Sequence, residues 1–481
     1  MNPNNLKHNK NNLKPNKPLL AIIFSFILIM FFLSFECNLF GGGGSGGIFT
    51  PPPFSGGGPS LSNPALSIDN TERSYSSIFD GSHYYLLSKY SATGTSRLII
   101  HRIPSDFSSI SSTSFAFIRL GVERPNFGIN ILDIGSELIT SNYINRGSAN
   151  YDSAILKINK SSLSLQQHLF FNNTKLPRIL FDNSSNHIYL SLMNDTNPSQ
   201  GYLIKLDNNF NILVQKKTDP VSTYPDNIFL SSHTNTNLCG ILLEVNPSGT
   251  GLSAGIFIIS KSNLSSATKI PFTNYSTSTY YIDQQSPLIT TESGNDYVYF
   301  ADALNSNTFY INKISVPPGL IHSTQISLPS SSIGNININK INNQIVVGIS
   351  KSESSINKLL FIIFDTNLNH VRSFELDVNN DQLFMYHYQK YHQTPDNGFI
   401  LTGNLNPSYY KTFFLKFNNL FNLTENNIFN VNNSPNVIFN SSSYTLPSPQ
   451  TVPLSDTTLT TSTSTYSTQE NTWVSNISTT P

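Results

Sequence analysis

The chain has 481 residues, with 28 basic and 28 acidic side chains and therefore no formal net charge. That balance leaves no electrostatic footprint for a nucleic acid or an acidic surface as partner. The two cysteines, Cys37 and Cys239, exclude a disulfide framework, so a body outside the cell has to be held by a large apolar core.

The first predicted elements concern export. Residues 1–18 carry Lys7, Lys10, Lys14 and Lys17 and no acid, and residues 19–36 contain an apolar run from Leu19 to Phe35. As a helix this run spans about 25 Å, between a signal-peptide core and a minimal membrane span. The basic end stays inside and the remainder is exported. Residues 37–60 form a tether in which Gly41–Gly47 and Gly56–Gly58 are flexible and Pro51–Pro53 is stiff.

Three readings of this start stand side by side: a lipid anchor, an uncleaved signal anchor and simple secretion. Cys37 directly after the apolar run, with Leu33 four residues before it, resembles a bacterial lipoprotein signal. That resemblance implies lipidation of Cys37. Glu36 stands where such signals carry a small residue, which keeps the uncleaved anchor open. Either anchor leaves the body tethered to a membrane but outside the cytoplasm, at a cell surface, outer membrane or periplasm.

Residues 61–445 hold a repeat. A short apolar strand ending in a basic or turn residue recurs seven times, with markers at Arg102, Lys157, Lys205, Ile258, Lys313, Ile363 and Lys416, spaced 48 to 55 residues apart. Each copy divides into four strand-like pieces: the third at Arg178, His187, Tyr202 and Ile212, and the sixth at residues 335–341, 344–349, 359–364 and 371–376. The last copy predicts strands at 384–389, 398–403, 412–417 and 425–429. A lone four-stranded sheet cannot hide two apolar faces, whereas a ring of such sheets buries each against its neighbour. The expected fold is all-β, a β-propeller of seven four-stranded blades.

The copy beginning ProAspAsnGlyPheIleLeuThrGlyAsn at Pro395 and continuing LysThrPhePheLeuLysPheAsnAsnLeuPheAsn resembles the repeats of secreted bacterial β-propellers, DGGFI-TG followed by LxKxDxxGN. Gly201–Asn211 matches in part. The turn glycine of that pattern is Phe210, Leu368 or Phe421 here, from which Asn residues are expected to take any positive-φ positions. The resemblance implies a scaffold and no particular ligand.

Three acidic turns resemble the start of a calcium loop: Asp207-x-Asn209-x-Asn211, Asp365-x-Asn367-x-Asn369 and Asp377-x-Asn379-x-Asp381. None has Gly at the sixth or Glu at the twelfth position, and the first two fall in the same turn of the repeat, which points to turn chemistry. Asp377, Asn379 and Asp381 are the only weak calcium candidates. His387 and His392 would project from opposite faces of a strand and cannot easily share an ion. The Gly-x-Ser-x-Gly letters around Ser45 lie in a linker, with no strand before them or helix after. Ten Asn-x-Ser/Thr sites are about as many as this composition gives by chance.

Residues 446–481 are rich in Ser, Thr and Pro and read as a disordered or O-glycosylated tail. The expected function is that of a membrane-tethered binding or structural module for a protein or carbohydrate ligand, with no cofactor. The alternative is a propeller hydrolase or lyase acting on extracellular glycans, with acids converging from several blades. The sequence singles out no catalytic residue.

Overall fold

The computed structural model describes residues 66–479 except 69–71, 93–94, 106–108, 120–121, 125, 148–149, 195–199, 219–225, 246–251, 274–284, 354–355, 379–381, 385–390, 394–397, 407–410, 423–428, 442, 463–465 and 474–476. Leu19–Phe35, Cys37 and the tether lie outside the described residues. Among those described there is no helix, and hence none long and apolar enough to cross a membrane.

Among the described residues the strands form seven antiparallel meanders in chain order. The first runs Glu72–Phe79, His83–Ala92, Thr95–Pro104 and Ser111–Arg119; the second Asn126–Asp133, Glu137–Gly147, Asn150–Asn159 and Leu165–Phe171. The third is Thr174–Asp182, His187–Asn194, Gly201–Asp207 and Ile212–Thr218; the fourth Asp226–His233, Asn237–Val245, Leu252–Ser260 and Ser266–Pro271. Leu288–Glu292, Asn295–Ala303, Thr308–Ser315 and Gly319–Ser327 make the fifth; Ser332–Ile341, Gln344–Glu353, Ile356–Phe364 and His370–Val378 the sixth. In every case the repeat marker falls on the third strand.

The seventh meander departs from the sequence expectation. Gln382–Phe384, Phe399–Asn406 and Lys411–Phe417 supply three strands, and the fourth is Leu66–Ile68 from the other end of the chain. Phe429–Asn432, overlapping the segment expected to complete this copy, pairs instead with His370–Val378 of the sixth.

Sequence alternation explains how the meanders pack. In Leu359–Phe364 all six side chains are buried: Leu359, Phe361 and Ile363 face the seventh meander, and Leu360, Ile362 and Phe364 face the fifth. An apolar cluster sits between every consecutive pair, and a further one joins Tyr84, Leu86 and Ile103 of the first meander to Ile400 of the seventh. The row of sheets therefore closes on itself. From the first meander to the sixth, the first strands of successive meanders are neighbours and line the middle, and the architecture is a β-propeller.

The Ser/Thr-rich C-terminal segment is not a disordered tail where it is described. It runs back around the rim as a strap. Phe429–Asn432 adds an outer strand to the sixth meander, Ile438–Ser441 to the fifth, Gln450–Asp456 to the fourth and third together, Thr461–Ser462 to the second, Ser467–Trp473 to the first, and Ile477–Thr479 to Leu66–Ile68. The folded body thus extends past residue 445. The reason is backbone chemistry: an outer strand presents a row of unpaired amides and carbonyls, and Thr and Val, with good strand propensity, supply partners for them. Leu454 and Tyr466 of the strap enter the apolar clusters beneath.

Candidate functional site

A catalytic reading needs carboxylates converging on the middle of the ring. Among the described side chains, the first strands present mostly Ser, Asn and apolar residues, such as Ser76, Ser77, Asn130, Asn227 and Asn337. Among the described side chains the acids of these strands lie where the strands finish, at Asp80, Asp133, Asp182 and Glu292, and there they clamp neighbours together. Lys160 Nζ lies 3.0 Å from Asp80 Oδ2 of the first meander and 2.9 Å from Asp133 Oδ2 of its own. Lys261 reaches back 2.6 Å to Asp182 Oδ2, joining fourth to third. Lys313 Nζ is 2.7 Å from Glu292 Oε2 and donates to Thr366 O of the sixth meander at 2.8 Å.

This arrangement explains the recurring basic marker. Arg102 donates to Ser161 O, Lys157 to Asn208 O and Lys313 to Thr366 O, each reaching the last turn of the next meander. In the sixth, whose marker is Ile363, Arg372 performs the task by donating to Leu420 O at 2.9 Å. Charge-assisted donors to turn carbonyls hold adjacent sheets in register. Burial acts to raise the carboxyl of Asp80, but amide donors from His83 and Ser82 and the Lys160 ammonium outweigh it and hold the group well below its ordinary value. At Asp182 burial is likewise outweighed, by Lys261, Ser184 and Ser185. Ionised acids already engaged with lysine cannot act as the proton donor that glycoside cleavage requires.

The turns receiving these donors correct one expectation. Phe210, Leu368 and Phe421 themselves adopt positive φ, at 61°, 60° and 59°, and so does Leu163 at 56°. Each side chain is buried in the cluster between two meanders, and that burial offsets the left-handed strain. The acids at the start of these turns cap them. Asp207 accepts from Asn209 N, Asn211 N and Asn211 Nδ2, each at 2.8 Å, and Asp365 is bound in the same way by Asn367 and Asn369. Those oxygens are filled by the chain itself. Asp377 lies 4.0 Å from Lys358, while Asn379, Asp381 and His387 fall outside the described residues. Among the described residues no group of three or more His, Cys, Asp or Glu is placed to hold a metal ion.

A groove of about 750 Å³ opens on the rim between the third and fourth meanders, roofed by the strap. Its walls come from three separated stretches: Ile212–Lys216, Lys261–Ser265 and Asp456–Leu459, with Lys205 beside them. Three ammonium groups line it against one carboxylate. Lys216 is 2.7 Å from Asp456, whose side chain is 88% exposed, and Lys261 is engaged with Asp182. Lys205 lies 5.9 Å from the Tyr189 ring centre and, among the described residues, pairs with no carboxylate. Gln215, Asn263, Thr457 and Thr458 add neutral hydrogen-bonding groups, and Leu213, 48% exposed, adds apolar surface. No sequence motif announced this groove, because its residues are spread from Lys205 to Thr461 and carry no common spacing.

No protein-family model matches the chain, and no curated protein matches it. Among solved structures it is similar to the Dos1 propeller, at 9% identity over 73% of this chain and 94% of that one, with a TM-score of 0.41. It is also similar to the polysaccharide lyase Uly1, at 8% identity over 72% and 89%, TM-score 0.44. A third likeness is to the acylaminoacyl peptidase of Pyrococcus horikoshii, at 8% identity over 72% and 51%, TM-score 0.43.

Proposed function

We propose that this protein is a binding module: a propeller with one blade per meander, seven in all, tethered to a membrane by its N-terminal segment and carried outside the cytoplasm. Its ligand is an acidic carbohydrate, taken in the rim groove between the third and fourth meanders. The observation that carries this reading is the groove's excess of ammonium groups beside amides, hydroxyls and an exposed leucine, a combination suited to carboxylated or sulfated sugars. Among the described residues, the engagement of Asp80 and Asp182 by lysine and hydroxyl or amide donors supports binding over cleavage.

The test is titration of the full chain with heparin and with polygalacturonate in low and high salt. Wild type should bind at least one probe, more weakly as salt rises, and Lys205→Glu should lose binding about tenfold or more with its melting temperature unchanged. Equal binding by wild type and Lys205→Glu removes the groove as the site. Mass spectrometry of the mature amino terminus tests the tether: lipid on Cys37 or an intact Met1 end fits it, and a soluble, trimmed end does not.

A further inference from the structure

The strap docks through two tyrosines that each end on a buried aspartate, and the two aspartates are held differently. Tyr466 Oη donates to Asp152 Oδ2 at 2.8 Å, and Arg119 and Arg146 lie 3.5 and 3.3 Å from the same carboxylate. Its charge is matched. Tyr444 Oη donates to Asp302 Oδ2 at 2.8 Å, and that oxygen also accepts from Thr273 N at 3.0 Å and Thr273 Oγ1 at 2.9 Å. Asp302 is wholly buried, and its other oxygen, Oδ1, has no partner.

Each element packed against Asp302 contributes only uncharged groups among the described residues. On the neighbouring strand Tyr310 stands opposite Asp302, and Asn312 lies two positions along on the same face. Asn312 is wholly buried, with both amide atoms unpartnered. From the fourth meander the titratable member of the shared cluster is Cys239, whose thiol burial pushes up, and from the strap it is Tyr444, whose phenol burial and the nearby Asp302 push up. An ionised Asp302 would therefore leave a charged, bare oxygen in an apolar interface, a costly state. Protonated, Oδ1 becomes a donor on the sheet face that also carries Asn312, whose side-chain oxygen has no partner.

We infer that Asp302 is a neutral carboxylic acid in the closed ring, giving its Oδ1 proton to Asn312, and that docking of the strap at Tyr444 is coupled to this proton. Burial raises the Asp302 carboxyl above its ordinary 3.8, outweighing the hydrogen bonds from Thr273 and Tyr444. With the strap lifted, Asp302 returns towards the ordinary range near 4. The docked state thus holds the extra proton: its contribution is complete below the open-state value and is lost as pH rises through the docked one. The strap is held most firmly in acid.

The experiment is hydrogen exchange of the full chain read by mass spectrometry from mildly acidic to alkaline pH, corrected for intrinsic exchange. The opening constant of the strap around Tyr444 should rise up to tenfold per pH unit between the open-state value near 4 and the raised docked value, and level off above the docked value. Around Tyr466, where Asp152 is charge-matched, it should stay level. Asp302→Asn keeps an acceptor for Tyr444 and supplies a donor to Asn312, so it should abolish the rise. The same pH response at both tyrosines, or an unchanged response in Asp302→Asn, overturns the inference. Should that variant fail to fold, the infrared stretch of a protonated carboxyl in wild type at neutral pH decides: its presence supports the inference and its absence overturns it.

Discussion

The interface between the sixth and seventh meanders and the one between the seventh and first are built from similar strands but carry opposite chemistry. The former is a stack of rings: Phe399 lies flat on Phe417 at 4.3 Å, and Phe361 touches Phe374, Tyr391, Phe399 and Phe417. Among the described side chains, the cluster at the closing interface has four buried apolar residues, with Phe79 and Ile110 packed against it. Buried polar groups stand beside them. Ser77 meets Thr402 at 2.8 Å across the seam, and on the first meander His101 is held between Ser88 at 2.6 Å and Ser112 at 2.8 Å, all buried.

The difference follows from chain order. Six interfaces form between meanders that are neighbours in sequence, so apolar faces meet the right partner by proximity. The seventh joins the two ends of the wheel, and a greasy end face would accept other sheets as readily. Hydrogen bonds need one register and one partner, and they leave less apolar surface exposed while the ring is open. The seam is then fastened by backbone: Leu66–Ile68 lies between Lys411–Phe417 and Ile477–Thr479.

Phe361→Ala should have the largest effect, since it removes a fully buried ring from the centre of the aromatic stack; a loss of about 3–5 kcal/mol in denaturant unfolding is expected. A loss below 1 kcal/mol would mean the stack can collapse around the gap and would weaken the contrast. His101→Leu comes next. It removes the His101 hydrogen bonds from the buried Ser88 and Ser112 hydroxyls, at a cost of about 2 kcal/mol. Because the change is at the seam, hydrogen exchange should rise first in residues 83–104 and 399–417, ahead of global unfolding.

Much of the wheel was visible in the residues. Continuous apolar runs such as Leu359–Phe364 required covering on both faces, and the third-strand markers from Arg102 to Lys416 set the repeat. Two things were not visible. The last copy borrows its fourth strand from residues 66–68, a pairing set by ring closure and not by local pattern. The strap's Ser, Thr and Pro composition resembles disorder because its order depends on free edges elsewhere, with Val452, Leu454, Tyr444 and Tyr466 as sparse anchors. The groove and the Asp302 site share this character, being assembled from segments that only the closed ring brings together.

Acid should distinguish the clamps from the apolar interfaces. The carboxyls of Asp80 and Asp182 are held below their ordinary 3.8 in the folded state, so their stabilisation is present above that value and is lost as pH falls through the folded values. Lys160→Met removes the ammonium shared by Asp80 and Asp133 and should lower stability at neutral pH, by an amount that shrinks as pH falls through the folded values, and so move the acid-unfolding midpoint to higher pH. An unmoved midpoint would show that the amide donors from Ser82 and His83 hold Asp80 unaided.

The smallest expected effect is also the most discriminating. Phe210 occupies a left-handed turn because its ring is buried between the second and third meanders, so two opposing terms meet at one residue. Replacement by Ala loses the ring and keeps the strained backbone; replacement by Gly loses the same ring and relieves the strain. Phe210→Gly should therefore be more stable than Phe210→Ala by about 1 kcal/mol, the reverse of the order found inside a regular strand. If Ala proves equal or better, the turn is not strained and burial of the ring is a consequence of the turn, not its cause.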